Sequence, residues 1–357
     1  MKKHFLFFIF WLVSYTSFAQ QKIDPQHKAI TYQGRIKKDK AMADLYWSAT
    51  SVKLNFQGST ISAIFQDETG NNYYNIIIDG DSSYIFRPEK VKKTYILAQN
   101  LKPGKHQIEI FKRTEWTRGK TIFYGFELPQ NAEFLPADKP KSRKMEFYGN
   151  SITAGYAVED FSGKDSPDST FTNAYLSYAH LTAKHFEAQY HSICRSGIGI
   201  MISWFPLIMP QMYDRLDPND ASSKWDFKQY TPDVVVVNLF QNDSWLVKKT
   251  NTEGFKTTFG TQAPTEDFII KSYQNFLTSI RNKYPKAKLV CILGNMDITR
   301  DGSLWPGYVE KAVAGLKDDK IYTHFIPYKN SGGHPSIKEQ QDLANSLIGF
   351  LEEKMSW

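Results

Sequence analysis

From about Ile30 to Leu128, apolar and polar positions alternate with a period of two. Val52, Leu54 and Phe56 alternate with polar neighbours, and Ile108 and Ile110 do the same after the turn at Pro103-Gly104. Ile122, Tyr124, Phe126 and Leu128 form another such run, and Gly70-Asn71 and Asp79-Gly80 supply turn dipeptides. Successive side chains of a strand point to opposite faces, so this pattern predicts strands with one face buried. Several short strands separated by turn signals, without a helical run, predict an all-β sandwich.

After Lys144 the rhythm changes. Met145–Tyr148 reads as a short apolar strand, Ala174 to Phe186 as a helix, and His191–Arg195 as a second strand. Val234–Val237 is apolar throughout, the signature of a strand buried on both faces. Ile270, Tyr273, Leu277 and Ile280 fall at helical spacing and lead to a strand at Leu289–Leu293. Ser336 and Glu339 form a capping box ahead of Leu343, Leu347, Phe350 and Leu351 on one helical face. Strands alternating with helices predict a three-layer α/β domain around a parallel sheet.

The first residues follow neither pattern. Lys2, Lys3 and His4 precede an unbroken apolar run from Phe5 to Val13, and Ser17-Phe18-Ala19 resembles a small-residue cleavage site. The run is too short to span a bilayer. The expected division is a signal peptide over 1–19, a β-sandwich with its linker over 20–140, and an α/β domain over 141–357. Export to the periplasm or beyond follows, with no stable membrane anchor after cleavage. The formal charge of +7 is spread widely, and its one cluster, Lys139 to Lys144, coincides with Pro136 and Pro140. That cluster reads as a solvated connector, and no nucleic-acid partner is expected. Cys194 and Cys291 each lie in an apolar run and read as buried free thiols rather than a disulfide. Neither has metal-ligand spacing, and neither a metal nor an organic cofactor is expected.

Ligands of open α/β sheets bind outside the carboxyl ends of the strands, which directs attention to the residues just beyond them. Gly149-Asn150-Ser151-Ile152-Thr153 follows the first strand and Ser196-Gly197-Ile198-Gly199, whose glycines let backbone N–H groups approach a ligand, the second, while Phe240-Gln241-Asn242-Asp243 follows the third. His334 lies in Ser331-Gly332-Gly333-His334-Pro335, a loop before the last helix. Serine is a weak nucleophile until a base takes its proton, and histidine is the usual base. Acyl transfer also needs fixed donors aimed at an oxyanion, which backbone N–H groups and an Asn amide supply. Each residue alone has a plainer reading: Ser151 as a helix cap, His334 as a solvated loop residue, Asn242 as a turn residue. Asp243 reads as structural, and His106, His180, His185 and His324 as core or surface residues.

In order and spacing these residues resemble the SGNH (GDSL) hydrolase superfamily. The β-sandwich ahead of that domain resembles carbohydrate esterase family 2, exported acetyl esterases acting on plant polysaccharides. The likeness includes Tyr74–Gly80 and the stretch from Gly104 to Glu115, with Lys-Arg-Thr-Glu at Lys112–Glu115. It implies a flavodoxin-like SGNH hydrolase domain behind a jelly-roll-like sandwich. It further implies Ser151 as nucleophile, His334 as general base, and an oxyanion hole from the N–H groups of Ser151 and Gly197 with the Asn242 amide. The implied substrate is an acetylated polysaccharide such as xylan or glucomannan.

Three departures from the family pattern carry expectations. Asn150 stands where Asp usually precedes the nucleophile, but it keeps a carbonyl acceptor. Phe240 stands where Gly usually opens the third block, so the wall beside the oxyanion hole is expected to be bulkier. Ser331 and Gly332 stand where an Asp commonly completes a triad. A Ser-His dyad with a main-chain carbonyl orienting the imidazole is therefore expected, with a remote acid such as Asp297 or Asp301 as an alternative. A catalytically degenerate glycan-binding protein and an esterase for lipid or aryl acyl groups are the rival functions. Trp204, Trp245 and Trp305 lie in loops after candidate site segments, where aromatic faces could stack on sugar rings or belong to the core.

Overall fold

A computed structural model describes residues 20–355 and 357; the signal peptide expected over 1–19 lies outside the described residues. The first half forms two six-stranded antiparallel sheets packed face to face. One has Thr121–Pro129 and Ile61–Asp67 at its centre, and the other Ser51–Gln57 and Lys105–Lys112. Val52 and Leu54 lie opposite Ile110 and Ile108, as the alternation predicts, and point into the shared core with Phe56. The last strand departs from its pattern. Ile122 and Tyr124 are half-buried while Phe123, Phe126 and Leu128 are buried. A bulge between Phe123 and Phe126 supplies the reason, since one extra residue flips the inward face.

The second half is a five-stranded parallel sheet. Its spatial order is Gln189–Cys194, Lys144–Gly149, Val234–Asn238, Lys288–Leu293 and Ile321–Phe325. In sequence terms this is 2-1-3-4-5, the flavodoxin-like order, and the switch point lies beside the first strand. Helices Tyr178–His185 and Ile337–Met355 cover one face, and Glu266–Lys283 and Trp305–Leu316 the other. The helix expected from Ala174 to Phe186 is split, because Ser177 caps a fresh start after the short turn Ala174–Leu176. The strand Ile321–Phe325 and the helix Trp305–Leu316 were not expected. The strand lies at a sheet edge and is mostly half-buried, so its apolar signal is weak. Cys194 and Cys291 are buried free thiols. Two strands separate theirs, putting them roughly 14 Å apart at ordinary strand spacing, beyond disulfide reach.

The two halves share their cores. Tyr46, Trp47 and Trp116 of the sandwich pack with Tyr148, Ile198 and Phe240, while Ala49, Ile77 and Phe111 join the cluster around Tyr178. Arg35, from a sandwich loop, reaches Glu146 on the first parallel strand at 2.5 Å, with both side chains fully buried. Tyr148 and Tyr284 also donate to that carboxylate. Burying a charge pair is tolerable only when its remaining valences are satisfied, so this network fixes how the halves dock.

Candidate active site

Gly149 ends the first strand at the switch point, and the chain turns into the short helix Ser151–Ala154. A Cβ at Gly149 would lie 1.9 Å from Thr153 Oγ1, so the turn closes only around glycine. Asn150 Oδ1 accepts from the Ile152 N–H at 3.0 Å, the acceptor role expected of it. Gln340, on the last helix, donates to Ile152 O at 2.9 Å, and Thr153 Oγ1 pairs with Tyr178 Oη at 2.9 Å. Ser151 thus sits on a braced turn, against the carboxyl ends of both neighbouring strands.

His334 arrives from the other direction. Lys329 Nζ donates to Gly332 O at 2.8 Å, and Ser331 Oγ donates to Glu339, which also takes part in the capping box with Ser336. These bonds shape the loop so that His334 Nε2 lies 2.7 Å from Ser151 Oγ. Tyr156 packs against the imidazole, ring centroids 4.7 Å apart.

The orienting group is not a main-chain carbonyl. Asp165 Oδ2 lies 2.7 Å from His334 Nδ1, and Asp165 Oδ1 accepts from the His334 N–H at 2.8 Å. A carboxylate therefore occupies the triad position, reached from the loop after the nucleophile rather than from beside the histidine. Burial pushes the Asp165 carboxyl upward, but the two hydrogen bonds and charge of His334, with Lys329, outweigh it and hold the carboxyl below its ordinary range. The alternatives fail on geometry. Asp297 accepts from Gln241 Nε2 at 2.8 Å and Trp245 Nε1 at 2.9 Å, and Asp301 is exposed beyond it. Asp160, Asp165 and Asp168 share one irregular stretch, and no local pattern singles out the middle one. Its partner lies 169 residues away.

Gly197 and Asn242 flank Ser151 because their strands flank its strand. Gly197 has φ +83, a left-handed conformation natural to glycine, and no turn, loop or cap hydrogen bond among the described residues uses its N–H or that of Ser151. Asn242 Oδ1 accepts from Trp204 Nε1 at 3.1 Å, which fixes the amide so that Nδ2 donates to Ile198 O at 2.9 Å. One Nδ2 proton remains for a ligand. Asp243 Oδ1 accepts the N–H groups of Ile200, Met201 and Ile202 at 3.1, 2.7 and 3.2 Å, which curls the loop after Gly197. That is the structural part expected of it. Burial pushes its carboxyl up to about 6 despite those donors.

Phe240 does not make the wall beside the hole bulkier. Its backbone is left-handed, φ +77, and the ring turns into the core against Tyr273 and Trp305. Trp305 is 7% exposed and opens a helix, so it has no free face for a sugar. Trp245 is half-buried, and Trp204 is 53% exposed beside Asn242.

A 2-1-3-4-5 sheet with Ser151, Gly197, Asn242 and His334 gathered at its carboxyl edge defines the SGNH hydrolase class. Residues 32–137 match the family described as carbohydrate esterase 2 N-terminal. A solved family two carbohydrate esterase from Clostridium thermocellum, in complex with cellohexaose, is 32% identical. The likeness covers 92% of this chain and 99% of that one, with a TM-score of 0.81. The chain belongs to carbohydrate esterase family 2. It is also 31% identical to the cellulase/esterase CelE of Acetivibrio thermocellus over 94% of its length, spanning 41% of that longer protein. An acetylxylan esterase / glucomannan deacetylase of Cellvibrio japonicus is 29% identical, over 86% of this chain and 85% of that one.

Proposed function

We propose that this protein is an exported serine esterase that removes O-acetyl groups from a polysaccharide such as xylan or glucomannan. The observation that carries this reading is the hydrogen-bonded series Asp165–His334–Ser151, with 2.7 Å at each step. In the proposed reaction Ser151 Oγ attacks the acetyl carbonyl carbon while its proton passes to His334 Nε2. The oxyanion lies toward the N–H groups of Ser151 and Gly197 and the Asn242 amide. Collapse breaks the bond to the sugar oxygen, which leaves with the proton from His334, and the acetyl group stays on Ser151. Water, deprotonated by His334, then releases acetate and restores the serine. Asp165 keeps the imidazole in the right tautomer and balances its charge throughout.

The substrate class comes from the Cellvibrio japonicus relative and from the cellohexaose bound to the Clostridium thermocellum enzyme. Trp204 and Trp245 are the aromatic faces we assign to sugar stacking. The leader-like first residues support export. A degenerate binding protein would fit a missing acid and the aromatic loops, and Asp165 beside His334 supports the esterase reading instead.

The test is acetate release from acetylated xylan and glucomannan, with 4-nitrophenyl acetate hydrolysis alongside, for wild type, Ser151→Ala and His334→Ala. Loss of activity in both variants, with polysaccharide binding kept, is expected. A wild type that binds the polysaccharides but releases no acetate would overturn the assignment.

A further inference from the structure

One short segment of the sandwich touches both sides of the active site. It begins where the strand Lys105–Lys112 ends, and it is itself held firmly. Lys112 Nζ, fully buried, donates to Asn72 Oδ1 at 2.7 Å and to Thr114 O at 3.3 Å, and Thr114 Oγ1 donates to the same Asn72 oxygen.

From this base Arg113 enters the loop that carries Asp165. Its guanidinium pairs with Glu159, donates to Thr170 O at 3.0 Å and Thr172 O at 3.5 Å, and is steadied by Asn75 Oδ1 at 3.2 Å. The Ala174 N–H donates to Arg113 O at 3.0 Å, and Arg118 Nη2 donates to Pro167 O at 2.7 Å. Between Tyr156 and Thr172 the loop has only the single turn Ser169–Phe171 as regular structure. Bonds within the loop, such as the Glu159 N–H to Phe171 O at 3.1 Å and the Ser166 N–H to Asp160 Oδ2 at 2.8 Å, shape it in part, and Arg113 with Arg118 adds anchors from the sandwich on both sides of Asp165.

Two residues further on, Glu115 reaches the opposite flank. Its carboxylate accepts both the N–H of Ser196, at 2.5 Å, and the Ser196 hydroxyl. Ser196 immediately precedes Gly197, whose N–H is assigned to the oxyanion in the reading above. A carboxylate gripping two donors of one residue holds that peptide more firmly than a neutral acceptor would.

We propose, on the reading of Ser151, His334 and Asp165 given above, that the segment Arg113–Arg118 makes the sandwich a working part of the active site. Arg113 and Arg118 are positioning residues for the orienting acid, and Glu115 is the positioning residue for the Gly197 oxyanion donor. The sandwich in this view does more than carry or bind polysaccharide, and the hydrolase domain cannot reach full turnover without it.

The experiment uses the full chain with Glu115→Gln, Glu159→Gln, Arg113→Lys and Arg113→Ala, each checked for folding by its thermal melt. Glu159 is at the rim of the loop, so its variant tests the clamp even if Arg113→Ala does not fold. Glu115→Gln keeps one acceptor and loses the charge. It is expected to lower kcat about ten- to a hundredfold, less than the ~10²–10³ for outright loss of an oxyanion donor, with KM within about twofold. Glu159→Gln and Arg113→Ala are expected to lower kcat about tenfold and to move the acid limb of kcat/KM to lower pH, in the direction expected for Asp165→Asn, because an Asp165 released from its position balances the imidazolium less well. Arg113→Lys should recover part of both effects. A merely structural role would scale activity down at every pH and leave the limb in place.

The low-field proton signal of the His334–Asp165 hydrogen bond is followed in parallel, since it needs no substrate. It should broaden or shift in Glu159→Gln and stay unchanged in Glu115→Gln. Folded Glu115→Gln and Glu159→Gln enzymes with wild-type kcat, pH limbs and proton signal would overturn the proposal. A wild type inert on every ester would instead sink the esterase reading, and the proton signal would still decide the Arg113 clamp.

Discussion

Asp165→Asn exchanges one carboxylate oxygen for an amide nitrogen at nearly constant volume, so its effect reports on charge and hydrogen bonding. Asp165 Oδ1 serves the His334 N–H at 2.8 Å and Oδ2 serves Nδ1 at 2.7 Å. An Asn that keeps its oxygen on the backbone must turn its NH2 toward Nδ1. The proton then moves to Nε2, and the base facing Ser151 is lost. The opposite rotamer keeps the tautomer but sets NH2 against the backbone N–H and leaves imidazolium without a counter-charge. In a fully buried triad the same change costs about 10⁴ in turnover. Here the Asp165 side chain is 34% exposed, so water screens part of its charge and can serve as a substitute acceptor. We expect kcat to fall by about 10²–10³, some 2.7–4 kcal/mol of transition-state stabilisation. KM should stay within about threefold, because the acid acts in the transition state rather than on bound substrate. The assay is steady-state hydrolysis of 4-nitrophenyl acetate and acetylated xylan, with His334→Ala as the floor. A variant within threefold of wild type would refute the reasoning and return the site to a dyad.

Three further outcomes follow from the same geometry. Asn242→Ala should lower kcat by about 10²–10³, and a value within twofold in the same hydrolysis assay would remove that amide from the oxyanion hole. Asp243, with its carboxyl pushed up to about 6 by burial, holds its proton more tightly folded than unfolded, so stability falls as pH rises from about 4 to 6. The difference from the ordinary 3.8 amounts to roughly 3 kcal/mol, and urea unfolding at pH 4 and 7 should show that component missing from Asp243→Asn. Arg35→Ala leaves Glu146 charged, buried and unpaired and should cost about 3–5 kcal/mol; a chemical-denaturation midpoint close to wild type would show that Tyr148 and Tyr284 suffice for that carboxylate.

Periodicity is a local property, and most of the elements it marks are present. Val52–Phe56 lies inward because its alternation is regular, and Val234–Val237 is central because it has no polar face to leave in water. The Ser336–Glu339 cap is a contact between residues three apart, so sequence suffices to find it. Signals failed where a neighbour in space overruled them. The bulge after Phe123 turned Ile122 and Tyr124 away from the core, and helix Trp305–Leu316 took Trp305 out of the loops and buried it. Phe240 could be read as a wall of the site because nothing in its own stretch shows the Tyr273 and Trp305 rings that draw it inward.

The same division runs through the active site. By itself the sequence determined the two-part architecture and the residues standing after the strands, Ser151, Gly197 and Asn242, together with His334 before the last helix. The stretches that hold them follow from where a strand or helix begins or ends, which a short length of chain decides, and the family resemblance picks out the residues within them. Only the tertiary structure chose Asp165 among the acids of its loop, and only it brought Arg113 and Glu115 of the sandwich to the two flanks of Ser151. The physical reason is that the bonds within this irregular loop do not decide which of its acids meets the histidine. That choice is made by partners far along the chain, as His334 is 169 residues from Asp165, and no local pattern in the chain records that encounter.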